Sequence, residues 1–163
     1  MKGMFRTGLI LLAAAAAACA PRERTLVLLS TNDMHAKIQN FPRLAAAVEN
    51  CRDTAQLVVL VDAGDRWTGN AYVDMAATPG MPMIALMNRL GYDVATLGNH
   101  EFDHTGAGFG EMLYSAASSG DRVPALLMAN YKPSRDNPDQ LDIQRAMAAY
   151  GVQESMLLER GGV

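Results

Sequence analysis

The sequence contains few of the residues that nucleic-acid binding and disulfide stabilisation require. Lysine occurs three times in 163 residues, the formal net charge is -3 and the pI is near 5.5. A nucleic-acid-binding face needs clustered basic residues, whereas the arginines here are scattered, which argues against a nucleic-acid polymer as partner. The two cysteines are Cys19 and Cys51, and if Cys19 is acylated, Cys51 has no partner for an internal disulfide.

The first 19 residues have the pattern of a secretory signal peptide. Lys2 and Arg6 flank the start of an apolar run, TGLILLAAAAAA, that is too short for a membrane-spanning helix. The stretch AAAC resembles the lipobox of bacterial lipoproteins, in which the cysteine becomes the lipidated first residue. We therefore expect an exported periplasmic or cell-envelope protein, anchored to a membrane through Cys19. Cleavage nearby without lipidation is the alternative.

Four apolar runs follow the signal, and helical patterns lie between them. The runs are continuous and rich in Leu and Val, and they span residues 25–30, 57–63, 92–97 and 123–129. Continuous runs of this length are typical of strands buried on both faces of a parallel sheet. Strands that alternate with helices predict right-handed βαβ units, and therefore an α/β fold.

The predicted helices and the last part of the chain complete this organisation. The helical patterns cover residues 41–51, 81–91 and 109–118, and the methionines of the second one are expected to fill the core. Residues 131–140 form a polar connection interrupted by proline. Beyond it we expect a helix over residues 144–151 and, over residues 154–162, a strand that runs into a turn.

A polar residue follows each predicted strand at a regular interval. Asp33, Asp65, Asn99 and Asn130 are 32, 34 and 31 residues apart, about one βαβ unit each time. The carboxyl ends of parallel strands lie at one edge of the sheet, where ligands of such folds bind. We therefore expect side chains from several strand ends to meet at this edge.

Four residues that follow the predicted strands are suited to binding a divalent metal ion. Asp33 and His35 are one residue apart, so in an extended segment their side chains point the same way. Asp65 follows a glycine that allows a close approach of backbone and ion, and its two oxygens could bridge two cations. Asn99 offers a neutral carbonyl oxygen. This mixed oxygen and nitrogen donor set favours Zn²⁺ or Mn²⁺.

His100 has the properties of a proton donor beside that site. Asp103 follows it by three residues, and a carboxylate that accepts from one ring nitrogen favours the protonated imidazole. Such a group suits the stabilisation of negative charge on a leaving oxygen.

Other polar residues in these segments are interpreted structurally. Glu101 and His104 are taken as surface residues, and Asp62 as a hydrogen-bonded structural aspartate. Trp67 is either a rim residue or part of the packing, and the sequence leaves both open.

The motifs NDMH (32–35), GDRWTG (64–69) and GNHEFD (98–103) resemble the calcineurin-like metallophosphoesterases, and within them the bacterial 5′-nucleotidase branch. The resemblance covers roughly residues 25–131. It implies a two-sheet α/β sandwich that hydrolyses a phosphate ester, with two divalent ions that activate water. Substrates of this branch are nucleotides, nucleotide sugars or cyclic nucleotides.

The resemblance also implies roles for single residues. Asp33 and His35 would hold one ion, Asp65 would bridge both, and Asn99 would hold the second. His100 would be the catalytic histidine that contacts the phosphate, with Asp103 orienting it. Asn130, in the segment MANY, would contact substrate.

The sequence departs from the family pattern in two ways. Thr68 stands where the branch commonly has glutamine, and the three histidines are His35, His100 and His104, fewer than the family's metal sites use. We therefore expect residues 20–163 to be the N-terminal portion of a catalytic domain. The remaining ligands and a C-terminal substrate domain of the same protein would lie elsewhere. Alone, the chain is expected to be a poor phosphatase with exposed apolar sheet surface.

Two other functions are compatible with the same residues. One is hydrolysis of a different ester by a related two-metal enzyme, similar to the thiosulfohydrolases. The other is a non-catalytic, lipid-anchored binding protein with an incomplete metal site, although metal binding alone does not require the pair of His100 and Asp103.

Overall fold

The computed structural model describes residues 24–120 and 122–162. The predicted signal peptide, with the lipidation site at Cys19, lies outside these residues. Within the described ranges, no helix combines the length and the apolar character that a membrane crossing requires.

The strands form one parallel sheet whose spatial order, β1-β2-β3-β4, is also their order in the chain. Their bounds are Leu26–Thr31 for β1, Leu57–Asp62 for β2, Val94–Ala95 for β3 and Ala125–Leu126 for β4. The predicted α/β class with βαβ units is confirmed. Of the two sheets that the family resemblance implies, the described residues contain this one.

Helices connect successive strands, as predicted. The connecting helices are α1 (Phe41–Thr54), α2 (Ala71–Asp74), α3 (Met81–Leu90) and α4 (Thr105–Ser118), with 3₁₀ turns at Ile38–Asn40 and His100–Phe102. A further helix, α5 (Pro138–Tyr150), follows β4, the last described strand. Helix α3 has its boundaries encoded locally. A proline stands in its first turn, and Gly91 (φ 71°) ends it by donating its N–H to the last carbonyls.

The core lies between the sheet and the helices. Met83 and Met87 of α3 are fully buried, so the prediction that this helix fills the core is confirmed. Trp67 is 2% exposed and therefore belongs to the packing. A Cβ on Gly80 would lie 1.7 Å from the indole ring, so the tryptophan packs directly against the glycine backbone.

Strand β1 is an edge strand and is not buried on both faces. Leu26 is 51% exposed and Leu28 is 63% exposed, because no described element packs on the face of β1 to which these side chains point. The expectation of exposed apolar sheet surface is confirmed here. The expectation that every strand is covered on both faces is wrong for β1.

The prediction of a strand within residues 154–162 is wrong, whereas the turn predicted at its end is present at residues 161–162. The described backbone bridge nearest to this region pairs Leu127 with Gln153, one residue before it. Farther along, Arg160 holds the segment through its side chain, which donates to the Val58 carbonyl and to the Asp93 carboxylate. Side-chain contacts therefore replace the backbone ladder that the apolar pattern predicted.

Candidate metal centre

The connections after β1 and β2 run side by side at the carboxyl edge of the sheet. Three backbone N–H groups after β1 donate to carbonyls after β2: Asp33 to Gly64 (3.1 Å), His35 to Asp65 (3.1 Å) and Ala36 to Arg66 (2.9 Å). The ladder between the strands thus continues into the connections. The predicted convergence of polar residues from β1 and β2 is therefore present.

Both connections contain side-chain-bearing residues in the left-handed region. The φ angles are 50° at Asp33, 44° at His35, 53° at Asp65 and 67° at Thr68. Such conformations cost roughly 1–3 kcal/mol each and concentrate at functional sites. The expectation that Asp33 and His35 lie in an extended segment is wrong, because a left-handed turn brings their side chains together.

Asp33 and His35 form a donor pair at the solvent boundary. Asp33 Oδ1 lies 3.8 Å from His35 Nε2, and the side chains are 58% and 32% exposed. Two ligands of one tetrahedral ion, each about 2.1 Å from it, lie roughly 3.4 Å apart. A small side-chain movement therefore lets the two atoms share one cation.

Asp65 is held against the connection that follows β3. Its Oδ1 accepts a hydrogen bond of 2.9 Å from the backbone N–H of His100. A Cβ on Gly98 would lie 2.1 Å from the same oxygen, and a Cβ on Gly64 would lie 2.3 Å from the backbone nitrogen of Gly98. Gly64 thus serves the approach of one backbone to another, whereas the sequence interpretation had assigned it to the approach of an ion.

The two asparagines at strand ends are exposed. Asn99 occupies the position before the 3₁₀ turn His100–Phe102, and within this described segment its side chain makes no capping hydrogen bond. Its amide oxygen therefore remains available as a ligand. Asn130 lies beyond β4 at the same edge of the sheet and is also exposed.

Glu101 is fully buried, so its interpretation as a surface residue is wrong. Its carboxylate accepts from three backbone N–H groups: Asp65 (3.0 Å), Arg66 (2.8 Å) and Gly98 (2.7 Å). One side chain thereby ties the connection after β2 to the connection after β3. The sequence cue was its position inside GNHEFD, between two predicted functional residues.

Asp62 is confirmed as a structural aspartate. It is 3% exposed, and its carboxylate accepts from Arg66 Nε at 2.8 Å and from the Thr31 hydroxyl at 2.9 Å. Arg66 is 2% exposed and also donates to the carbonyl of Thr96. Sequence reasoning missed Arg66, whose side chain joins Asp62 at the end of β2 to the backbone that follows β3.

His100, Asp103 and Thr68 form a compact triangle. Asp103 Oδ2 lies 2.7 Å from His100 Nδ1 and 2.8 Å from the Thr68 hydroxyl. The hydrogen bond to Asp103 raises the pKa of His100 above its usual value. The hydrogen bond from His100, and to a smaller extent the one from Thr68, lowers the pKa of Asp103. The predicted pairing of His100 with Asp103 is therefore present.

The histidine of the triangle lies beside the donor pair. The ring centroids of His35 and His100 are 4.7 Å apart, in an edge-to-face arrangement with an interplanar angle of 73°. The pair of His100 and Asp103 and the pair of Asp33 and His35 are thus neighbours.

His104 is not the simple surface residue that the sequence suggested. Its ring lies 6.0 Å from the indole of Trp67. In the described part of the chain, His104 Nε2 and Trp67 Nε1 are both buried without a hydrogen-bond partner. The ring of His104 thus packs toward Trp67 and not toward the predicted donors, and His104 remains outside the candidate site.

The donors fit a metal centre in part. Asp33, His35, Asp65 and Asn99 offer the carboxylate, imidazole and amide groups that Zn²⁺ and Mn²⁺ accept. Across the ranges that the structure describes, no three His, Cys, Asp or Glu side chains are grouped closely enough to hold one ion. The pair of Asp33 and His35 is the best-formed part of the site.

The fold and these motifs define a phosphoesterase scaffold. The chain belongs to the calcineurin-like phosphoesterase family, which matches residues 26–144.

Several known proteins are similar over part of their length. The trifunctional nucleotide phosphoesterase of Bacillus subtilis (strain 168) is 36% identical over 78 residues, 48% of this chain and 5% of that protein. A snake venom 5′-nucleotidase of Gloydius brevicauda is 32% identical over 124 residues, 66% of this chain and 20% of the venom protein. The chain therefore spans a fifth or less of these relatives.

Solved structures are similar over more of the chain. A 5′-nucleotidase precursor from Thermus thermophilus has a TM-score of 0.65 and 25% identity, covering 84% of this chain and 26% of that one. The NAD nucleotidase of Haemophilus influenzae has a TM-score of 0.58 and 24% identity, covering 72% of this chain and 22% of that one. The second likeness concerns the fold alone.

Proposed function

We propose that this protein is an exported, metal-dependent phosphoester hydrolase that acts on a nucleotide, a nucleotide sugar or a cyclic nucleotide. The observation that carries the proposal is the His100–Asp103 pair, with 2.7 Å between Nδ1 and Oδ2, beside the ring of His35. A binding protein with a degenerate site does not need such a pair. Similarity to nucleotide phosphoesterases supports the substrate class.

The proposed metal ligands are Asp33 and His35 for one ion, Asp65 between two ions, and Asn99 for the second. Zinc or manganese suits this donor set. Divalent ions in such a site polarise phosphoryl oxygens and make water a better nucleophile at neutral pH. Glu101 holds the backbone N–H groups of Asp65 and Arg66, so it acts on the donors indirectly.

His100 is proposed to protonate the leaving oxygen. Nδ1 donates to Asp103, so Nε2 is the ring nitrogen left for the substrate. As the bond from water oxygen to phosphorus forms and the ester bond breaks, the Nε2 proton passes to the departing oxygen. Asp103 stabilises the imidazolium before that transfer and fixes the orientation of the ring.

We further propose that residues 20–163 form the N-terminal portion of the catalytic domain. The matched relatives extend well beyond the region of similarity. In this proposal the further metal ligands and a substrate-binding domain are supplied by other parts of the same protein. Metal analysis and an assay of phosphate release from AMP, both on residues 20–163 alone, test this proposal. Two tightly held ions together with robust phosphate release would contradict it.

Export and lipid anchoring through Cys19 are proposed from the signal pattern and lie outside the described residues. The natural protein should partition into detergent, and Cys19→Ser should move it to the aqueous phase. Equal partitioning of both proteins would argue for cleavage without an anchor.

The enzymatic proposal is tested by His100→Ala in the natural protein, with release of phosphate from AMP in zinc or manganese as the assay. We expect kcat to fall about 100-fold or more because general acid catalysis is lost, with the metal content unchanged. His104→Ala is the matched control and should retain activity within about threefold. An unaffected His100→Ala enzyme would overturn the proposal.

A further inference from the structure

Thr68 contacts both members of the proposed catalytic pair. Its hydroxyl lies 2.8 Å from Asp103 Oδ2 and 3.4 Å from His100 Nδ1. Nδ1 itself lies 2.7 Å from Oδ2. Since Oδ2 is an acceptor only, it receives the protons of both the hydroxyl and the ring nitrogen. The contact between the hydroxyl and Nδ1 is therefore a contact between two donors that share one acceptor.

The backbone at Thr68 is strained. Its φ angle is 67°, and a β-branched residue in this region is an outlier that neighbouring structure must enforce. Asparagine or glycine would adopt this conformation at lower energy. The threonine hydroxyl is thus delivered to Asp103 by a conformation that threonine itself disfavours.

Two carboxylates hold the segment on either side of Thr68. Glu101 accepts the N–H groups of Asp65 and Arg66, which precede it. Asp74 Oδ2 accepts the N–H groups of the two residues that follow it, Gly69 at 2.9 Å and Asn70 at 3.0 Å. These clamps fix the backbone from both ends, so the position of the hydroxyl is set by the fold and not by its bond to Asp103.

The Asp103 carboxylate, which accepts the hydrogen bond from Thr68, is exposed enough to move. Asp103 is 40% exposed, and His100 is 36% exposed. A half-exposed carboxylate with one hydrogen bond can rotate or turn to water, whereas a second donor from a fixed backbone restricts it. The effect reaches the reaction through the imidazole, because Asp103 orients the His100 ring.

We propose that Thr68 is a positioning residue that orients Asp103, and through it His100, for the reaction. This inference rests on the proposed hydrolase function. It assigns a role to a position at which this chain differs from the glutamine common in the branch it resembles.

The test compares Thr68→Val, Thr68→Ser and Thr105→Val in the natural protein, with AMP as substrate. Valine keeps the β-branch and removes the hydroxyl, whereas serine keeps the hydroxyl. Thr105 is the matched control because it has the same φ angle of 67°, is exposed and lies outside the proposed catalytic groups. Thr105→Val therefore reports the effect of the same exchange in the same backbone conformation.

Thr68→Val should lower kcat about tenfold, the size expected for loss of a hydrogen bond to a charged group. KM should change by less than about twofold, and bound metal should be unchanged, because the Thr68 hydroxyl bonds to Asp103, which is not among the proposed metal ligands. Thr68→Ser should retain kcat within about threefold, and Thr105→Val should match the natural protein. Equal kcat values for the two valine variants, or an equal loss in Thr68→Ser, would overturn the inference.

A second readout does not depend on turnover. In proton–nitrogen spectra of the imidazole groups, the Nδ1 proton of His100 should exchange with water faster in Thr68→Val than in the natural protein or in Thr105→Val. If the natural protein releases no phosphate from nucleotides, the proposed function fails and this exchange rate alone decides the role of Thr68. Unchanged exchange in Thr68→Val would then reject it.

Discussion

The amino ends and the carboxyl ends of the parallel strands form two edges of the sheet. These two edges differ in which residues adopt the left-handed backbone conformation. The described chain has six non-glycine residues with positive φ, and all lie in connections that leave the carboxyl ends of β1, β2 and β3. On the way into β3 and β4, the described left-handed residues are Gly91 and Gly120. Glycine adopts this conformation without steric cost. Backbone strain is therefore concentrated at the edge that carries the proposed metal donors.

The two edges also differ in the partners of their buried carboxylates. At the amino edge, Asp93 is 4% exposed, accepts from the N–H of Leu60, and is paired with the side chains of Arg122 and Arg160. At the carboxyl edge, Glu101 accepts mainly from backbone N–H groups of the strained connections. The first carboxylate anchors the chain, and the second shapes the segments that carry Asp65 and Asn99.

The largest expected difference between the edges comes from adding a methyl group to a glycine. Gly98→Ala places a Cβ 2.1 Å from Asp65 Oδ1, so the carboxylate must move. Misplacement of a reacting group by about 1 Å can lower the rate roughly 100-fold, and we expect such a loss of phosphate release together with weaker metal binding.

The control for that exchange is Gly120→Ala, at the entrance to β4. A Cβ there has nothing within 4 Å, but φ is 73°. It should lower the free energy of unfolding by about 1 kcal/mol through strain alone and leave activity intact. A Gly98→Ala protein that resembles Gly120→Ala in metal affinity would show that the contact with Asp65 is unimportant.

A smaller effect should separate the roles of Glu101 and Asp93. Glu101→Gln turns an acceptor oxygen into a donor facing backbone N–H groups, and we expect metal affinity to fall about 10- to 100-fold. Asp93→Asn should instead lower the free energy of unfolding by about 2 kcal/mol, since its arginines can partly return to water. Metal titration and denaturant unfolding of both variants would reveal whether the roles are divided in this way.

The smallest effect concerns Tyr92, which follows α3 and reaches across to Thr31 at the end of β1. Burial raises the pKa of Tyr92 to about 12. The folded pKa exceeds the unfolded value of 10, so the stabilising contribution is complete below pH 10 and is lost as pH rises through 12. Tyr92→Phe should therefore lose less stability between about pH 8 and pH 11 than the natural protein. Parallel losses in the two proteins would contradict this.

The sequence predicted the parallel sheet and the pairing of His100 with Asp103 because both depend on local signals. Apolar runs of four to eight residues identify buried strands, and an aspartate three residues after a histidine lies within its reach in a tight turn. The spacing of Asp33, Asp65 and Asn99 follows from the length of a βαβ unit, so their common edge was also predictable.

The sequence did not predict the environment of Glu101 or the conformation of residues 33–36. An isolated glutamate is charged and therefore favours the surface. The burial of Glu101 is compensated by three backbone N–H groups, which are brought together where the connection after β2 meets the connection after β3. The left-handed turn at Asp33 is likewise imposed by pairing with Gly64 and Asp65, contacts that no local pattern encodes.

The equal order of strands in space and in sequence has a consequence for how the protein folds. Each strand pairs with the one made just before it, from β1 to β4. Every pairing then closes a loop of about one βαβ unit, and no strand has to be inserted between two that are already joined. The sheet can therefore grow in one direction, outward from β1, while later segments are still being added.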